Sequence, residues 1–399
     1  MCYTLFTVFM KGQLHVDEAE KLNSLFYGFE RPSFKASNRF VRSATHLGGA
    51  DEATGEISIA EIKRHSEIAA GGTGTLITGL AFISHEGKSF KREWGLHTDE
   101  RINDVGKLSE EVHKFGSNLI VQICHGGGQR EASVAEGTVS FSPSGGIHPM
   151  CDFETTPLSK DGIRKVAEDF AAAALRAKKG GADGVEIHAG HGFLLTQFLS
   201  PSINKRDDEY GGSLENRSRI FYEILEDVRR SVGEGFNIWF KISIAEGTEN
   251  GYGPEDGTAL SIGLLKRGAD GIDVSSGTSY AGAMNSPSTL GVSAGESEAP
   301  FAEYARELKI HASDRQIIIL TGGLRSLPVM AELIHNGTCD LLALSRPFIA
   351  EPDLINRWRE EDARPTACIS CNACFKTSKY GLIECPILRD RNEGNWDPL

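Results

Sequence analysis

Eight short runs of β-branched and apolar residues recur along this chain of 399 residues, and segments with helical spacing separate them. Continuous apolar runs of this kind are typical of strands in a parallel sheet that is covered on both faces. The strand candidates are FVRSAT (40–45), TLITGLAFI (75–83), LIVQICHGG (119–127), GVEIHAG (184–190), IWFKISIA (238–245), GIDVSSG (271–277), IIILTGG (317–323) and LLALSRP (341–347).

The separating segments complete a strand-helix alternation. Two of them, GIRKVAEDFAAAALRAKKGGA (162–182) and LENRSRIFYEILEDVRRSV (214–232), show the helical pattern most clearly. Eight such units most simply close into a (β/α)8 barrel, the α/β fold known as a TIM barrel. An open, doubly wound parallel sheet is the alternative that this alternation leaves.

The composition excludes several classes of partner. The formal net charge is −13, so nucleic acid and anionic lipid surfaces would repel the chain, and neither is an expected partner. No apolar run approaches the roughly 18 to 20 residues that span a bilayer. The first residues, MCYTLFTVFM, lack the features of a signal peptide, which predicts a cytoplasmic protein. The eight cysteines are then expected as thiols or metal ligands rather than disulfides.

The carboxyl ends of the predicted strands are rich in polar residues and glycine. Barrel enzymes place their chemistry at these ends, where the loops that follow the strands meet. A ring of such groups predicts one large ligand across the barrel mouth. The ring comprises Ser43, Ala44, Thr45, Gly79, Gln122, His125, His188, Lys241, Ser276, Gly277, Gly322, Gly323, Ser345 and Arg346.

One sector of the ring has the features of a phosphate site. Gly322 and Gly323 follow the seventh strand, and Arg346 follows the eighth. Glycines allow backbone N–H groups to approach phosphate oxygens, and an arginine can bind a phosphate through two parallel hydrogen bonds. A glycine pair that only shapes a turn is the alternative, but together with Arg346 the pattern predicts a bound phosphate.

The segment from His188 to Arg219, which contains FLSPSINKRDDEYGGSLENRSR, resembles the signature stretch of the Old Yellow Enzyme family. NRFVRSAT, VQICHGGGQ, LTGGL and LSRPFIAEP resemble the family at strands one, three, seven and eight. The resemblance covers about residues 25–360 and is nearest the branch of 2,4-dienoyl-CoA reductase and trimethylamine dehydrogenase. It implies an N-terminal extension (1–24), an FMN-binding barrel (25–360) and a cysteine-containing C-terminal tail (361–399).

The resemblance also implies roles for the ring. FMN would lie across the mouth, and NADH or NADPH would bind over it as co-substrate. Gly79 and Gln122 would face the pyrimidine ring, and Lys241 would place positive charge near the N1/O2 end of the flavin. Ser43, Ala44 and Thr45 would line the reactive edge. The phosphate would be held by Gly322, Gly323, Ser345 and Arg346.

His188 and His191 lie three residues apart at the end of the fourth strand. A barrel histidine is often only structural, but family members use such a pair to bind a substrate oxygen on which charge develops. The family usually has a proton-donating tyrosine two residues after the second histidine, and this chain has Phe193 instead. Tyr252, Tyr280 or water are the candidate replacements.

Four cysteines in the tail have a spacing typical of iron–sulfur ligands, CxxCxxC followed after ten residues by a Cys-Pro pair. The related branch has a four-iron (4Fe–4S) cluster at this place, with one more residue in two of the spacings. Zinc bound by thiolates and a tail of free thiols are the alternatives. The candidate ligands are Cys368, Cys371, Cys374 and Cys385.

The leading interpretation is an FMN-dependent oxidoreductase that transfers hydride from NAD(P)H to a small-molecule substrate, an activated alkene or related electrophile. A flavin dehydrogenase working in the oxidising direction and an electron-transfer subunit with a redox partner protein are the alternatives, ahead of a barrel without flavin. The sequence leaves open the substrate, the choice between NADH and NADPH, and whether the chain is a homo-oligomer.

Overall fold

A computed structural model describes residues 16–282, 285–379 and 381–392, so most of the predicted N-terminal extension lies outside the described residues. Eight parallel strands form a closed barrel, because each pairs with the next and the last pairs with the first. The prediction of a (β/α)8 barrel is confirmed, and the open sheet is wrong. The strands, β1 to β8, are Phe40–Arg42, Thr75–Ile77, Asn118–Cys124, Gly184–Ala189, Asn237–Ser243, Gly271–Ser275, Ile317–Thr321 and Leu341–Leu344.

One helix of the outer layer follows each strand. The two predicted helical segments are confirmed: a serine caps each at its start, Ser159 by accepting from the Gly162 N–H and Ser213 from that of Asn216. The helices, α1 to α8, are Ile59–Ala70, Ile102–His113, Lys160–Lys179, Leu214–Val232, Pro254–Lys266, Ala302–His311, Leu327–His335 and Leu354–Arg359. Further helices are Val16–Ser24, Ala132–Ala135, Leu194–Leu199, Arg346–Ala350 and Pro386–Asn392.

The barrel interior is apolar at the amino ends of the strands. A hairpin of two short strands, Phe29–Arg31 and Phe34–Ala36, closes this end. The ring of Phe34 packs edge-on against Trp239 of β5, with 5.0 Å between the ring centroids. Because one end is filled by apolar side chains, a ligand can approach the interior only from the opposite end. The apolar interior consists of Val41, Ile77, Ile120, Trp239, Ile317, Ile319, Leu341 and Ala343.

The loops at the carboxyl ends carry additional structure. Ala81–Phe82 and Trp94–Gly95 extend the barrel sheet beside β3, and the loop after β3 forms a small sheet of Phe141–Ser142, Gly146–Ile147 and Glu154–Pro157. The C-terminal extension returns to the mouth, where the Ile383 N–H donates to the Leu47 carbonyl at 2.9 Å. Within the described residues, no helix is both long and apolar enough to cross a membrane.

Substituting Phe34 by alanine is expected to destabilise the fold. The change leaves a cavity against Trp239 in the closed end of the barrel, so we expect the free energy of unfolding to fall by about 3 to 5 kcal/mol, measured by chemical denaturation. Phe115→Ala is the matched control, because that ring is half exposed. Equal losses in the two variants would show that the hairpin does not close the barrel.

Candidate functional site

The mouth of the barrel brings predicted residues from distant parts of the chain into contact. The Ser43 N–H donates to the Leu344 carbonyl at 2.8 Å, which joins the end of β1 to that of β8. The hydroxyl groups of Thr45 and Ser345 are hydrogen-bonded at 2.7 Å. Gly79 packs so closely against this segment that an added Cβ would lie 2.8 Å from the Thr45 carbonyl oxygen. The site therefore requires glycine at this position.

Lys241 is buried at the centre of the mouth. Its ammonium forms an ion pair with Asp273 and donates to the Ser43 hydroxyl at 3.2 Å and to the Thr321 hydroxyl at 3.4 Å. Asp273 was not among the predicted site residues. The alternation of side chains along a strand could have found it, since Asp273 lies two residues before Ser275, whose side chain also faces the site.

Gln122 is also buried at the mouth, and its amide donates to Glu186 at 2.7 Å. Burial, and then the charge of Asp273, raises the pKa of Glu186 well above its ordinary value. The sequence interpretation missed Glu186 as well, although it lies two residues before His188 on β4 and so shares its face of the strand.

The predicted histidine pair is brought together. The rings of His188 and His191 are 5.1 Å apart, and His191 has a left-handed backbone conformation, with φ of 63°. The ring Nε2 of His191 is hydrogen-bonded to the Ser275 hydroxyl at 2.9 Å. The buried Nδ1 of His188 has no hydrogen-bond partner among the described residues. A ligand atom at the mouth could satisfy this nitrogen.

Both histidines are neutral near pH 7. Burial, followed by the charge of Lys241, lowers the pKa of His188 to about 3. Burial, then His188 and Lys241, lowers the pKa of His191 well below its ordinary value. Each ring therefore has one N–H donor and one acceptor nitrogen rather than a full positive charge.

Phe193 forms an apolar wall next to the histidines. Its ring lies 4.9 Å from that of His188 and packs with Leu80, Cys124 and Phe90. A phenylalanine has no proton to give, so this wall can bind an apolar group but cannot act as an acid. The site therefore has no proton-donating hydroxyl group at this position.

The two candidate replacement tyrosines differ. Tyr252 is buried and its hydroxyl donates to the Ser243 carbonyl at 3.0 Å, a structural bond within the barrel. Tyr280 lies over Gly192, where an added Cβ would be 2.8 Å from its ring. Its hydroxyl donates to Glu246 at 2.9 Å. Tyr280 is therefore next to the turn that carries His191 and Phe193, whereas Tyr252 has a structural role.

The predicted phosphate sector combines a glycine turn with buried positive charge. Gly322 and Gly323 have positive φ values of 111° and 68°, which favour glycine. The Arg346 guanidinium donates to the Asn372 side chain at 2.7 Å and to the Thr289 carbonyl at 3.0 Å. Arg325, which the sequence interpretation missed, is buried nearby and donates to the Ser370 hydroxyl at 2.7 Å. The position of Arg325, two residues after the glycine pair, could have indicated it from the sequence.

Three cysteines of the extension, Cys368, Cys371 and Cys374, lie near Arg346, but the four cysteines are not arranged as a metal site in the described residues. Cys374 is buried, Cys371 is exposed, and the other two are half-buried thiols. Among the residues that the structure describes, no three histidine, cysteine or acidic side chains are arranged to hold a metal ion. A cluster or zinc ion at Cys368, Cys371, Cys374 and Cys385 stays a prediction.

Comparison with known proteins places this site in a family. The sequence profile of the NADH:flavin oxidoreductase / NADH oxidase family matches residues 24–364. An NADPH dehydrogenase of Halalkalibacterium halodurans is 30% identical over 335 residues, which cover 83% of this chain and 92% of the relative. An NADH oxidase of Thermoanaerobacter brockii is 32% identical over 341 residues, 84% of this chain but only 50% of that protein.

Solved structures share the fold. A complex of 2-naphthoyl-CoA reductase with 2-naphthoyl-CoA superimposes with a TM-score of 0.84 at 23% identity, over 94% of this chain and 58% of the reductase. Histamine dehydrogenase from Rhizobium sp. 4-9 gives 0.80 at 25% identity, over 92% and 52%. This chain thus spans little more than half of these two proteins.

An old yellow enzyme homologue from Zymomonas mobilis superimposes with a TM-score of 0.72 at 23% identity. The match covers 90% of this chain and the whole of that protein. The barrel, the sequence relatives and the family profile agree with the Old Yellow Enzyme resemblance. The chain belongs to the NADH:flavin oxidoreductase / NADH oxidase family, and it is an oxidoreductase that works with FMN and NAD(P)H.

Proposed function

We propose that this enzyme reduces activated alkenes at the barrel mouth, with FMN lying above Lys241 and the substrate beside the histidine pair. The observation that carries this proposal is the neutral pair of His188 and His191 with an unpartnered buried nitrogen next to Lys241. When bound, FMN supplies the transfer of a hydride from NADH or NADPH to the β-carbon of the substrate. The protein supplies binding, orientation and charge.

The described residues offer a suitable cradle for FMN. Gln122 would offer its buried amide to the pyrimidine ring, and Gly79, which packs too closely on the Thr45 carbonyl to carry a side chain, would lie beside it. Ser43, Ala44 and Thr45 would lie along the reactive edge. The phosphate would be bound by backbone N–H groups of Gly322 and Gly323 and by Ser345 and Arg346.

Replacing Arg346 by glutamine should weaken FMN binding. The change removes charge-assisted hydrogen bonds worth about 1.5 to 3 kcal/mol, so the Kd for FMN should rise about 10- to 100-fold. Fluorescence titration of the apoprotein with FMN measures this. Arg306→Gln is the matched control, because among the described residues that exposed arginine pairs only with Glu303 on the surface of α6. An unchanged Kd for Arg346→Gln would place the phosphate elsewhere.

The histidines would stabilise the oxygen of the group that activates the alkene. Negative charge develops on a carbonyl oxygen when hydride reaches the β-carbon, and fixed N–H donors stabilise that charge. The apolar wall of Leu80, Phe90 and Phe193 would bind the hydrocarbon part of the substrate. Enones, enals, enoates and enoyl thioesters all combine these features.

The wild-type protein loaded with FMN should bleach with NADPH or NADH and recover its colour when an enone is added. His188→Ala or His191→Ala should slow this second step about 100- to 1,000-fold per lost donor, as measured by stopped-flow absorbance. His311→Ala on the exposed end of α6 is the control. A wild type that bleaches but never recovers with any enone would argue against alkene reduction.

Tyr280 is the side chain that we propose as proton donor to the α-carbon. It lies over Gly192 beside the histidine turn, and its hydroxyl donates to Glu246. Burial, and then the charge of Glu246, raises the pKa of Tyr280, so its hydroxyl stays protonated at neutral pH. Tyr252, bonded to the Ser243 carbonyl, has no such freedom.

Tyr280→Phe should lower the rate of enone reduction about 100-fold, in the range typical of a lost general acid, while flavin reduction by NADPH stays unchanged. The matched test is the double variant Tyr280→Phe/Phe193→Tyr, which returns a hydroxyl to the wall beside His188 and should recover part of the rate. If Tyr280→Phe reduces enones as fast as wild type, water is the proton source.

A second candidate function is an electron-transfer subunit that works with a partner protein. The cysteine-containing extension favours it, because Asn372 and Ser370, beside Cys371, contact the two arginines of the phosphate sector. Iron and sulfide analysis of anaerobically purified protein, and turnover of NADPH with an enone by the isolated chain, separate the two functions. The cytosolic location, a homo-oligomer and the oxidising direction stay predictions.

A further inference from the structure

One lysine and two carboxyl groups are buried together beneath the mouth. Lys241 is 3% exposed, and Asp273 and Glu186 are fully buried. Lys241 and Asp273 lie at the same level of neighbouring strands, and Glu186 lies at the level of Gln122. With every group ionised, this interior would hold a net charge of −1, directly above its apolar end.

Lys241 and Asp273 form an ion pair whose hydrogen-bonding groups all have partners. One Asp273 oxygen pairs with the ammonium, and the other accepts from the Thr321 hydroxyl at 2.5 Å. The Ser43 and Thr321 hydroxyl oxygens accept from the same ammonium at 3.2 Å and 3.4 Å. Each N–H of the ammonium therefore has an acceptor and each Asp273 oxygen has one donor, as a buried ion pair requires, and the carboxylate can still accept a further hydrogen bond.

Glu186 is different. Its Oε1 accepts from the Gln122 amide at 2.7 Å, but its buried Oε2 has no donor among the described residues. The Glu186 carboxyl is within hydrogen-bonding reach of Asp273, another acceptor. Two ionised carboxylates cannot be neighbours without a large cost, whereas a proton on Oε2 turns the contact into a hydrogen bond.

The surrounding charges do not change this conclusion. The charged neighbours of Glu186 are Asp273, which raises its pKa, and Lys241, which lowers it; burial raises the pKa further and is the largest effect. His188, two residues along β4, is neutral, as is His191. A protonated Glu186 makes the cluster neutral overall.

We propose that Glu186 stays protonated and donates a hydrogen bond to Asp273, so that a single carboxylate charge balances Lys241. This charge balance sets the reduction potential of the bound flavin. Glu186 and Asp273 are positioning residues that act through Lys241. The inference rests on the proposed function only in placing FMN above Lys241. Reduction adds negative charge to the flavin, so less negative charge around Lys241 favours the reduced form.

The test compares Glu186→Gln with the double variant Glu186→Gln/Asp273→Asn in FMN-loaded protein. Glutamine copies a protonated Glu186, so the midpoint potential of this variant should match the wild type between about pH 6 and pH 9, far above an ordinary glutamate pKa. The double variant should raise the potential by at least about 30 mV, a tenfold change in the two-electron equilibrium. The double variant is needed because Glu186 could ionise and replace Asp273 if it were left in place.

A potential that rises in Glu186→Gln alone, or diverges from wild type as the pH increases, would show that Glu186 is ionised and would overturn the proposal. An unchanged potential in the double variant would overturn the link to the flavin. Infrared spectroscopy gives a readout without cofactor: wild-type apoprotein near neutral pH should show a protonated-carboxyl band that Glu186→Gln removes. If this band is present but the protein fails to bind FMN, the proposed function is contradicted, whereas the protonated Glu186 is not.

Discussion

Closure of the parallel ladder between β8 and β1 is the constraint on which the site depends. It brings eight strand ends, which are far apart in sequence, to one mouth, and it gives each inward-facing side chain a fixed level in the interior. The hairpin with Phe34 fills the opposite end with apolar groups. Polar groups inside the barrel can therefore be solvated or bound to a ligand only at the mouth, which is where Lys241 and the histidines lie.

Burial decides the protonation states at this mouth. The same desolvation that keeps His188 and His191 neutral raises the pKa of Glu186, whereas Lys241 and Asp273 lie in contact as a buried ion pair. The resulting surface offers neutral hydrogen-bond donors next to a balanced ion pair. Such a surface suits a substrate oxygen that becomes charged only during the reaction, because the donors are already oriented before the charge appears.

The strands and the polar ring could be predicted from the sequence, because period and residue type determine them. The ends were less predictable: the run 75–83 is broken after Ile77, where Gly79 packs on Thr45, and Arg346 begins a short helix instead of ending a strand. The prediction considered the carboxyl ends of the strands and therefore missed Asp273 and Glu186, which lie two residues earlier, on the same faces as Ser275 and His188. Tyr252 and Tyr280 differ only in tertiary contacts.

The phosphate sector gives independent physical support for an anionic ligand. Arg325 and Arg346 are both buried, yet their hydrogen bonds run to neutral acceptors, the side chains of Ser370 and Asn372 and backbone carbonyl groups. These acceptors satisfy N–H groups but bring no negative charge, and Glu298, whose carboxylate accepts from the Arg325 backbone N–H, can balance one of the two arginines and leaves the other without a negative charge beside it among the described residues. A phosphate at the adjacent glycines would supply that charge. The C-terminal extension, which provides Ser370 and Asn372, then helps to position the arginines that would bind the FMN phosphate.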